Sequence, residues 1–404
     1  MQAPTISPSK KSEPALVRRK ILFLDHTAAL SGGELALYEL VQRLNSDRFQ
    51  PLVVLCSDGQ LREKLEQVGV ETLVIPLASE IVQTRKDSLV GGSLLRLKAF
   101  GQTFAYARRL SRFLREQQID IVHTNSLKAD IIGGFAARMA RVPVIWHVRD
   151  RIDADYLPAP AVRVFRWLCR TLPDFVVANS QATLETILLP PNKPSDVVYS
   201  GVVLDKKSAP MPLDESETPT IGIVGRLSSW KGQHIFIRAA ERVHARFPQV
   251  RFQIIGSAMF GEEAYEQEIR ELVVSLDLSD CLEFLGYRKD VAELLRRMTV
   301  LVHASTSGEP FGQVVVQGME AGRPVVATNG GGVPEIVEHE VTGLLVPMGD
   351  VEATASAIMH LLACPEVARQ MGVAGRKRVE DYFTIETTVQ KVESIYERLG
   401  NKKS

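Results

Sequence analysis

Arg226 and Lys231 stand five residues apart in GRLSSWKG (225–232), just after an apolar run and just before a helical pattern that opens near Gln233. A guanidinium and an ammonium converging on a helix N-terminus, where backbone amides lack partners, make a site for a diphosphate, and the guanidinium can grip two oxygens at once. An exposed pair of solvated charges is the plainer alternative. Glu309 opens a second stretch, GEPFGQVVVQGMEAG (308–322), whose helix is expected to begin near Phe311. Along that helix Gln313, Gln317 and Glu320 fall within ~60° of one another at 3.6 residues per turn. The polar stripe either faces solvent or lines a cleft and, with Glu309 and Gly312, holds hydroxyl groups. A third stretch, LDHTAALSGGE (24–34), runs from a strand into a helix opened by Gly32-Gly33. Paired glycines let a phosphate approach the backbone, although they also suit a plain tight turn. His147 and His123 each close an apolar run, as ligand-facing or as satisfied core histidines, and Asp150 is a candidate to orient His147.

Placing these residues requires parallel sheets. Short Val/Ile/Leu-rich runs with little alternation recur at Ile21–Asp25, Leu52–Cys56, Thr72–Ile75, Ile119–His123, Val144–His147 and Phe175–Ala178. They recur again at Thr220–Gly225, Arg251–Gly256, Leu282–Leu285, Val300–His303, Pro324–Ala327 and Leu344–Val346. Such runs are expected for strands buried on both faces, and the helical patterns between them predict βαβ units in an α/β fold with two doubly wound sheets. The stretch DKKSAPMPLDESETP (205–219), with three prolines and no apolar period, reads as a linker. The predicted domains are therefore 20–204 and 220–383, with a tail at 1–19 and an amphipathic helix within 384–404. That helix carries Val389, Val392, Ile395, Tyr396 and Leu399 on one side.

Composition sets limits. A chain of 404 residues suits two domains, and 45% hydrophobic with 24% charged residues is ordinary for a globular protein. Net charge is zero, but residues 1–200 hold 26 Lys/Arg against 20 Asp/Glu, so the first half is basic and the second acidic. Basic apolar stretches at Leu94–Arg115 and Ala161–Arg170 fit either an anionic membrane surface or helices packed on a sheet. Cys56, Cys169, Cys281 and Cys364 are widely separated, which supports neither a zinc site nor a disulfide framework and suits a reducing compartment. The N-terminus has no apolar signal core and no run reaches the ~18 apolar residues of a spanning helix, so a cytoplasmic protein is expected. Nothing suggests a nucleic-acid partner.

Taken together, these elements resemble the retaining glycosyltransferases of family 4, with the GT-B fold, from about Lys20 to Leu399. The resemblance is carried by EPFGQVVVQGMEAGRPVVATNGGGVPEIV (309–337), TGLLVP (342–347), GRLSSWKG and WHVRD (146–150) in this order. It implies two Rossmann-like domains facing a cleft, with the C-terminal helix returning to the N-terminal domain. It assigns Arg226 and Lys231 to the donor phosphates, Glu309 to sugar hydroxyls with backbone amides near Phe311 and Gly312, and His147 to the transferring sugar. Gly32 and Gly33 would close on the phosphates, and Tyr287 and Arg288 would meet the base. The family's ribose-binding glutamate is replaced by Gln317, for which Glu320 is expected to compensate in part, or the donor preference is altered. The implied partners are a nucleotide-sugar donor (UDP- or GDP-hexose) and a saccharide or lipid-linked acceptor of the cell envelope. No cofactor or metal is implied, because the cationic pair supplies the charge. The alternatives are a GT-B nucleotide-sugar epimerase and a non-catalytic nucleotide-sugar binder.

Overall fold

The computed structural model describes residues 18–77, 93–205, 218–259 and 261–400. Most of the expected tail and linker lie outside these residues. The first sheet comprises β1 (Arg19–Asp25), β2 (Phe49–Leu55), β3 (Glu71–Val74), β4 (Ile121–Thr124), β5 (Val144–Val148), β6 (Phe175–Ala178) and β7 (Ser195–Val197), in spatial order 3-2-1-4-5-6-7. The second comprises β8 (Thr220–Val224), β9 (Arg251–Ile255), β10 (Leu282–Gly286), β11 (Val300–His303), β12 (Val325–Thr328) and β13 (Leu344–Val346), in order 10-9-8-11-12-13. All neighbouring strands pair in parallel. Twelve of these strands coincide with the predicted apolar runs. The exception is β7, whose sequence SDV offers a single apolar residue and so gives no pattern.

The helices of the first half are α1 (Gly32–Val41), α2 (Gln60–Gln67), α3 (Ser93–Glu116), α4 (Leu127–Ala140), α5 (Ala159–Thr171) and α6 (Gln181–Ile187). Those of the second are α7 (Gln233–Arg246), α8 (Glu263–Ser275), α9 (Val291–Arg297), α10 (Gln313–Glu320), α11 (Val333–Ile336), α12 (Val351–Ala363), α13 (Pro365–Tyr382) and α14 (Ile385–Gly400). Helices cover both faces of each sheet, so each domain has two cores. On β5, Val144, Trp146 and Val148 face Leu110, Leu114, Ala136 and Phe165, whereas Ile145 faces the opposite core. Alternation within a parallel strand thus serves two apolar layers.

The basic stretch on α3 packs rather than floats: Tyr106, Leu110 and Leu114 are buried, while Arg108, Arg109, Arg112 and Arg115 point outward. Its Arg96 and Lys98 lie outside the residues with described side chains. Among the described residues no helix is long and apolar enough to cross a membrane.

The last helix does not belong to the domain that precedes it. Ile385, Val389, Val392, Ile395, Tyr396 and Leu399 of α14 are buried with Ile21, Phe23 and Val53 of the first sheet. Burial of each such side chain contributes ~1.5–3 kcal/mol, which anchors the helix to the N-terminal domain. The chain therefore crosses between domains twice, and the crossings are hydrogen-bonded to each other: Val202 N donates to Phe383 O at 2.9 Å and Ile385 N donates to Val202 O at 2.9 Å. Gly201 makes this closeness possible, since a Cβ there would sit 2.1 Å from Thr384 O. Gly201→Ala is therefore expected to destabilise the protein by about 2–3 kcal/mol through overpacking. Gly101→Ala, in mid-helix with nothing within 4 Å, should instead stabilise it by ~0.5–1 kcal/mol. Thermal unfolding of the two variants checks the opposite signs.

Candidate active site

In each sheet the strand order reverses between two neighbours, β1 and β4 in one, β8 and β11 in the other. The crevice beyond the carboxyl ends of such a pair is the usual ligand site of an open parallel sheet. β8 delivers Gly225-Arg226 to this point, and β11 delivers His303, Ser305 and Glu309. A single 3-10 turn, Ser229–Lys231, brings Lys231 to the same place before α7 begins. Lys231 Nζ donates to both carboxylate oxygens of Glu309, at 2.6 and 2.8 Å, and lies 4.2 Å from the Trp230 ring centroid. Ser305 Oγ donates to Glu309 at 3.0 Å, and His303 Nε2 stands 3.3 Å from the same oxygen. Burial pushes the Glu309 carboxyl up, but Lys231 and His303 outweigh it and hold the group well below the ordinary carboxylate range. Thr328 Oγ1, 3.1 Å from Nδ1, fixes the His303 ring.

The glycine run explains how Glu309 is held. Gly332 N donates to Glu309 O at 2.8 Å. Gly331, at φ +61°, lies so close that a Cβ would stand 1.9 Å from the same oxygen. No other residue type fits there.

Arg226, at the end of β8, and Glu309 both act electrostatically on the phenol of Tyr156 from the opposite domain. Tyr156 donates to Asp150 at 2.5 Å, and its phenol is raised far above the ordinary value by burial first, then by Asp150 and Glu309, against a pull from Arg226. Several hydrogen bonds join the cleft walls. Ser180 Oγ and Thr183 Oγ1 donate to Pro310 O at 2.5 and 3.1 Å, and Glu335 accepts from Gln181 N and Ala182 N, both at 2.8 Å. The carboxylate of one domain thus caps the first turn of α6 in the other.

On the N-terminal side, Gly32 and Gly33 open α1 behind a capping box formed by Ser31 and Glu34. Burial and the nearby Asp25 push the Glu34 carboxyl up to about 7. Asn125 Nδ2 donates to Asp25 Oδ2 at 2.7 Å and to Gly33 O at 3.2 Å. Arg149 joins this turn to His147: its Nε donates to Asn125 Oδ1 at 2.7 Å and its Nη2 stands 3.3 Å from His147 Nδ1. His147 is buried, and its Nε2 meets no hydrogen-bond partner among the described residues. Burial, then Arg149 and His123, hold its pKa well below the ordinary histidine value.

Not every expected residue joins the cluster. Tyr287 is 59% exposed on the loop after β10, and Arg288 is paired with Asp290 at 2.8 and 2.5 Å. Phe311 is buried and stacks on Tyr199 at 5.7 Å, so its side chain supports the loop. Gly312, at φ +119°, caps α10, which starts at Gln313 rather than near Phe311. Gln317 is half-buried. The expectation for Glu320 is corrected: it lies at the far end of α10, where its carboxylate accepts from Arg376 at 2.8 Å and from Asp205 N at 3.2 Å. It holds the domain crossing to α13 and does not replace a ribose ligand. Likewise the neighbours of His147 Nδ1 are His123 and Arg149, whereas Asp150 serves Tyr156. One Asp-x-Asp spacing occurs, Asp153-Ala154-Asp155, but both carboxylates pair with Arg151, at 3.4 and 2.8 Å. Sequence reading passed over His303, Ser305, Trp230, Tyr156, Asn125 and Arg149. Three of these carried a signal: His303 closes an apolar run as His147 does, Arg149 lies within WHVRD, and Trp230 lies within GRLSSWKG.

Two Rossmann domains facing a cleft, with a crossover helix returning to the first, define the GT-B architecture. Residues 30–206 match the model of Glycosyltransferase Family 4 and residues 206–378 that of Glycosyl transferases group 1. An uncharacterised glycosyltransferase of Haemophilus influenzae is 30% identical over 69% of this chain and 77% of its own. The UDP-Gal:alpha-D-GlcNAc-diphosphoundecaprenol alpha-1,3-galactosyltransferase of Escherichia coli is 23% identical over 93% of this chain and 96% of its own. The crystal structure of HepE from Anabaena with UDP and glucose superposes with a TM-score of 0.81 at 28% identity, over 94% of this chain and all of that one. Of two other relatives, from Bacillus subtilis and Bacillus anthracis, the chain spans only 55% and 33% of the length, at 28% and 38% identity. The chain belongs to glycosyltransferase family 4.

The Glu309 carboxyl makes stability depend on acid. Its folded pKa lies below the unfolded value near 4.5, so its contribution is fully present above that pH and is lost as pH falls toward the folded value. Between pH 5 and 3 the melting temperature of the wild type should fall more steeply than that of Glu309→Gln, as scanning fluorimetry across that range would record.

Proposed function

We propose that this chain transfers a hexose, with retention of anomeric configuration, from a UDP-sugar to a saccharide or lipid-linked acceptor in cell-envelope polysaccharide or glycolipid synthesis. The reading rests on one observation: Lys231 and Glu309 are in contact at the strand ends of the second sheet, where Arg226 also leaves β8. The cations suit a diphosphate and the carboxylate suits sugar hydroxyls. UDP is preferred over GDP because HepE, 28% identical, is described in complexes with UDP, with UDP and glucose, and with UDP-glucose. The Escherichia coli relative, named for a diphosphoundecaprenol acceptor, supports a lipid-linked one.

In this mechanism the bond from the sugar's anomeric carbon to the β-phosphate oxygen breaks, and its electron pair leaves with UDP. The acceptor hydroxyl attacks from the same face, and its proton passes to a phosphate oxygen. Arg226 and Lys231 stabilise the charge growing on the leaving diphosphate, aided by the amides of Gly32 and Gly33. Fixed charges that need no reorganisation do this most effectively. Lys231 then divides its donors between phosphate and Glu309, and Glu309 accepts from the sugar's hydroxyls. No metal is required in this reading. Acceptor binding falls to the N-terminal domain, where Val164 and Trp167, 56% and 61% exposed, flank the arginines of α5 and offer an anionic membrane a peripheral contact.

UDP and UDP-hexoses, each at about 100 times Kd, should stabilise the protein by ~2.7 kcal/mol in a thermal-shift screen. GDP and ADP should act only at higher concentration. Glu309→Gln or Arg226→Ala should lower kcat/KM by roughly 100- to 1,000-fold, the usual loss for one electrostatic contact to a transition state. Activity should persist in EDTA. A protein that no nucleotide stabilises, or that EDTA silences until magnesium is restored, contradicts this reading. Gln317→Glu should tighten UDP binding, because a carboxylate accepts from both ribose hydroxyls.

A further inference from the structure

Behind His147 runs a line of buried polar groups that the proposed mechanism does not use. Tyr396, on α14, places its hydroxyl 2.6 Å from Nδ1 of His123, and Nε2 of His123 lies 3.1 Å from Nδ1 of His147. Tyr396, His123 and His147 are each at most 1% exposed. Phe23 stacks on His123 at 5.0 Å.

The direction of every hydrogen bond in this line follows from its one group that can only donate. Arg149 Nη2 faces His147 Nδ1 at 3.3 Å, and a guanidinium has no acceptor. His147 Nδ1 must therefore be the bare nitrogen, and the ring's hydrogen resides on Nε2. His123 Nε2, facing the same bare nitrogen, must donate, which leaves His123 Nδ1 to accept from the Tyr396 hydroxyl. The two donors share the single lone pair of His147 Nδ1, whereas the reverse arrangement would set a hydrogen on Nδ1 against that of the guanidinium. We propose that His123 and Tyr396 are positioning residues which, with Arg149, lock His147 as a neutral imidazole presenting its Nε2–H to an oxygen acceptor of the reacting sugar or acceptor substrate. This rests on the transferase reading above and deepens it. The C-terminal helix thereby acts on the orientation of a side chain at the far end of the opposite domain's strand.

Burial supports the neutral state of the line. It lowers His123 to about 3, with Arg149 adding to the effect, and it raises the Tyr396 phenol well above its ordinary value. Arg149, lowered to about 10 by burial, stays charged at neutral pH. The orphaned His147 Nε2 is the second sign, because a buried donor without an acceptor is costly and persists where a ligand or water completes it.

The tautomer can be read directly. In the full chain with 15N-labelled histidines, long-range proton–nitrogen spectra at neutral pH should show His147 and His123 each protonated on Nε2 and bare on Nδ1. Comparison with His147→Gln assigns the resonances. In donor turnover, Tyr396→Phe and His123→Leu should lower kcat about tenfold or more with the donor KM within twofold. His123→Gln, which keeps a donor facing His147, should recover most of the loss. Protonation of His147 on Nδ1 overturns the proposal, as does wild-type kcat in both Tyr396→Phe and His123→Leu. If the wild type turns over no nucleotide sugar, the transferase reading fails, while the spectra still decide the tautomer.

Discussion

The contact between Lys231 and Glu309 is what the C-terminal domain is arranged around. A carboxylate taken out of water unpaired costs several kcal/mol, and Glu309 avoids that cost by facing an ammonium, a serine hydroxyl and a histidine at once. Each of these neighbours depends on its own support. Trp230 lies against the ammonium, Thr328 steadies the histidine, and Gly331 and Gly332 bring a backbone turn against the glutamate's main chain. The consequence is a carboxylate fixed in place and in charge.

The two walls of the cleft follow opposite electrostatic rules. The C-terminal wall keeps its groups ionised by pairing them. On the N-terminal wall burial pushes groups toward their neutral forms: His147 and His123 are depressed and Glu34 is raised to about 7. Charge persists there at Arg149, which lies against Asn125 and His147, and at Asp25, which accepts from Asn125 and Ser126.

Much of this was legible in the sequence because parallel strands are buried on both faces and so betray themselves as unbroken apolar runs. Twelve strands followed from that pattern, the helix starts at Gly32 and Gln233 from the glycines beside them, and the returning helix from the family resemblance. β7 did not, because a three-residue edge strand needs no apolar period. The contact of Lys231 with Glu309 could be anticipated because each follows a strand end in sequence. Glu320 misled because helical spacing gives the angle of a residue but not its depth along the axis, and seven residues beyond Gln313 it has left the cleft. His123 and Tyr396 lie 273 positions apart, and no local pattern can signal a contact that only the crossing helix creates.

That crossing has a topological outcome. The final helix is covalently part of one half of the molecule and is buried in the core of the other. A protease cutting the peptide chain between residues 205 and 218 would leave two fragments that still cohere, held by an apolar helix and by the paired backbone at Val202 and Thr384. Neither half is a self-sufficient unit, and a gene split at that point would yield an N-terminal fragment with an open groove on its sheet where the returning helix belongs.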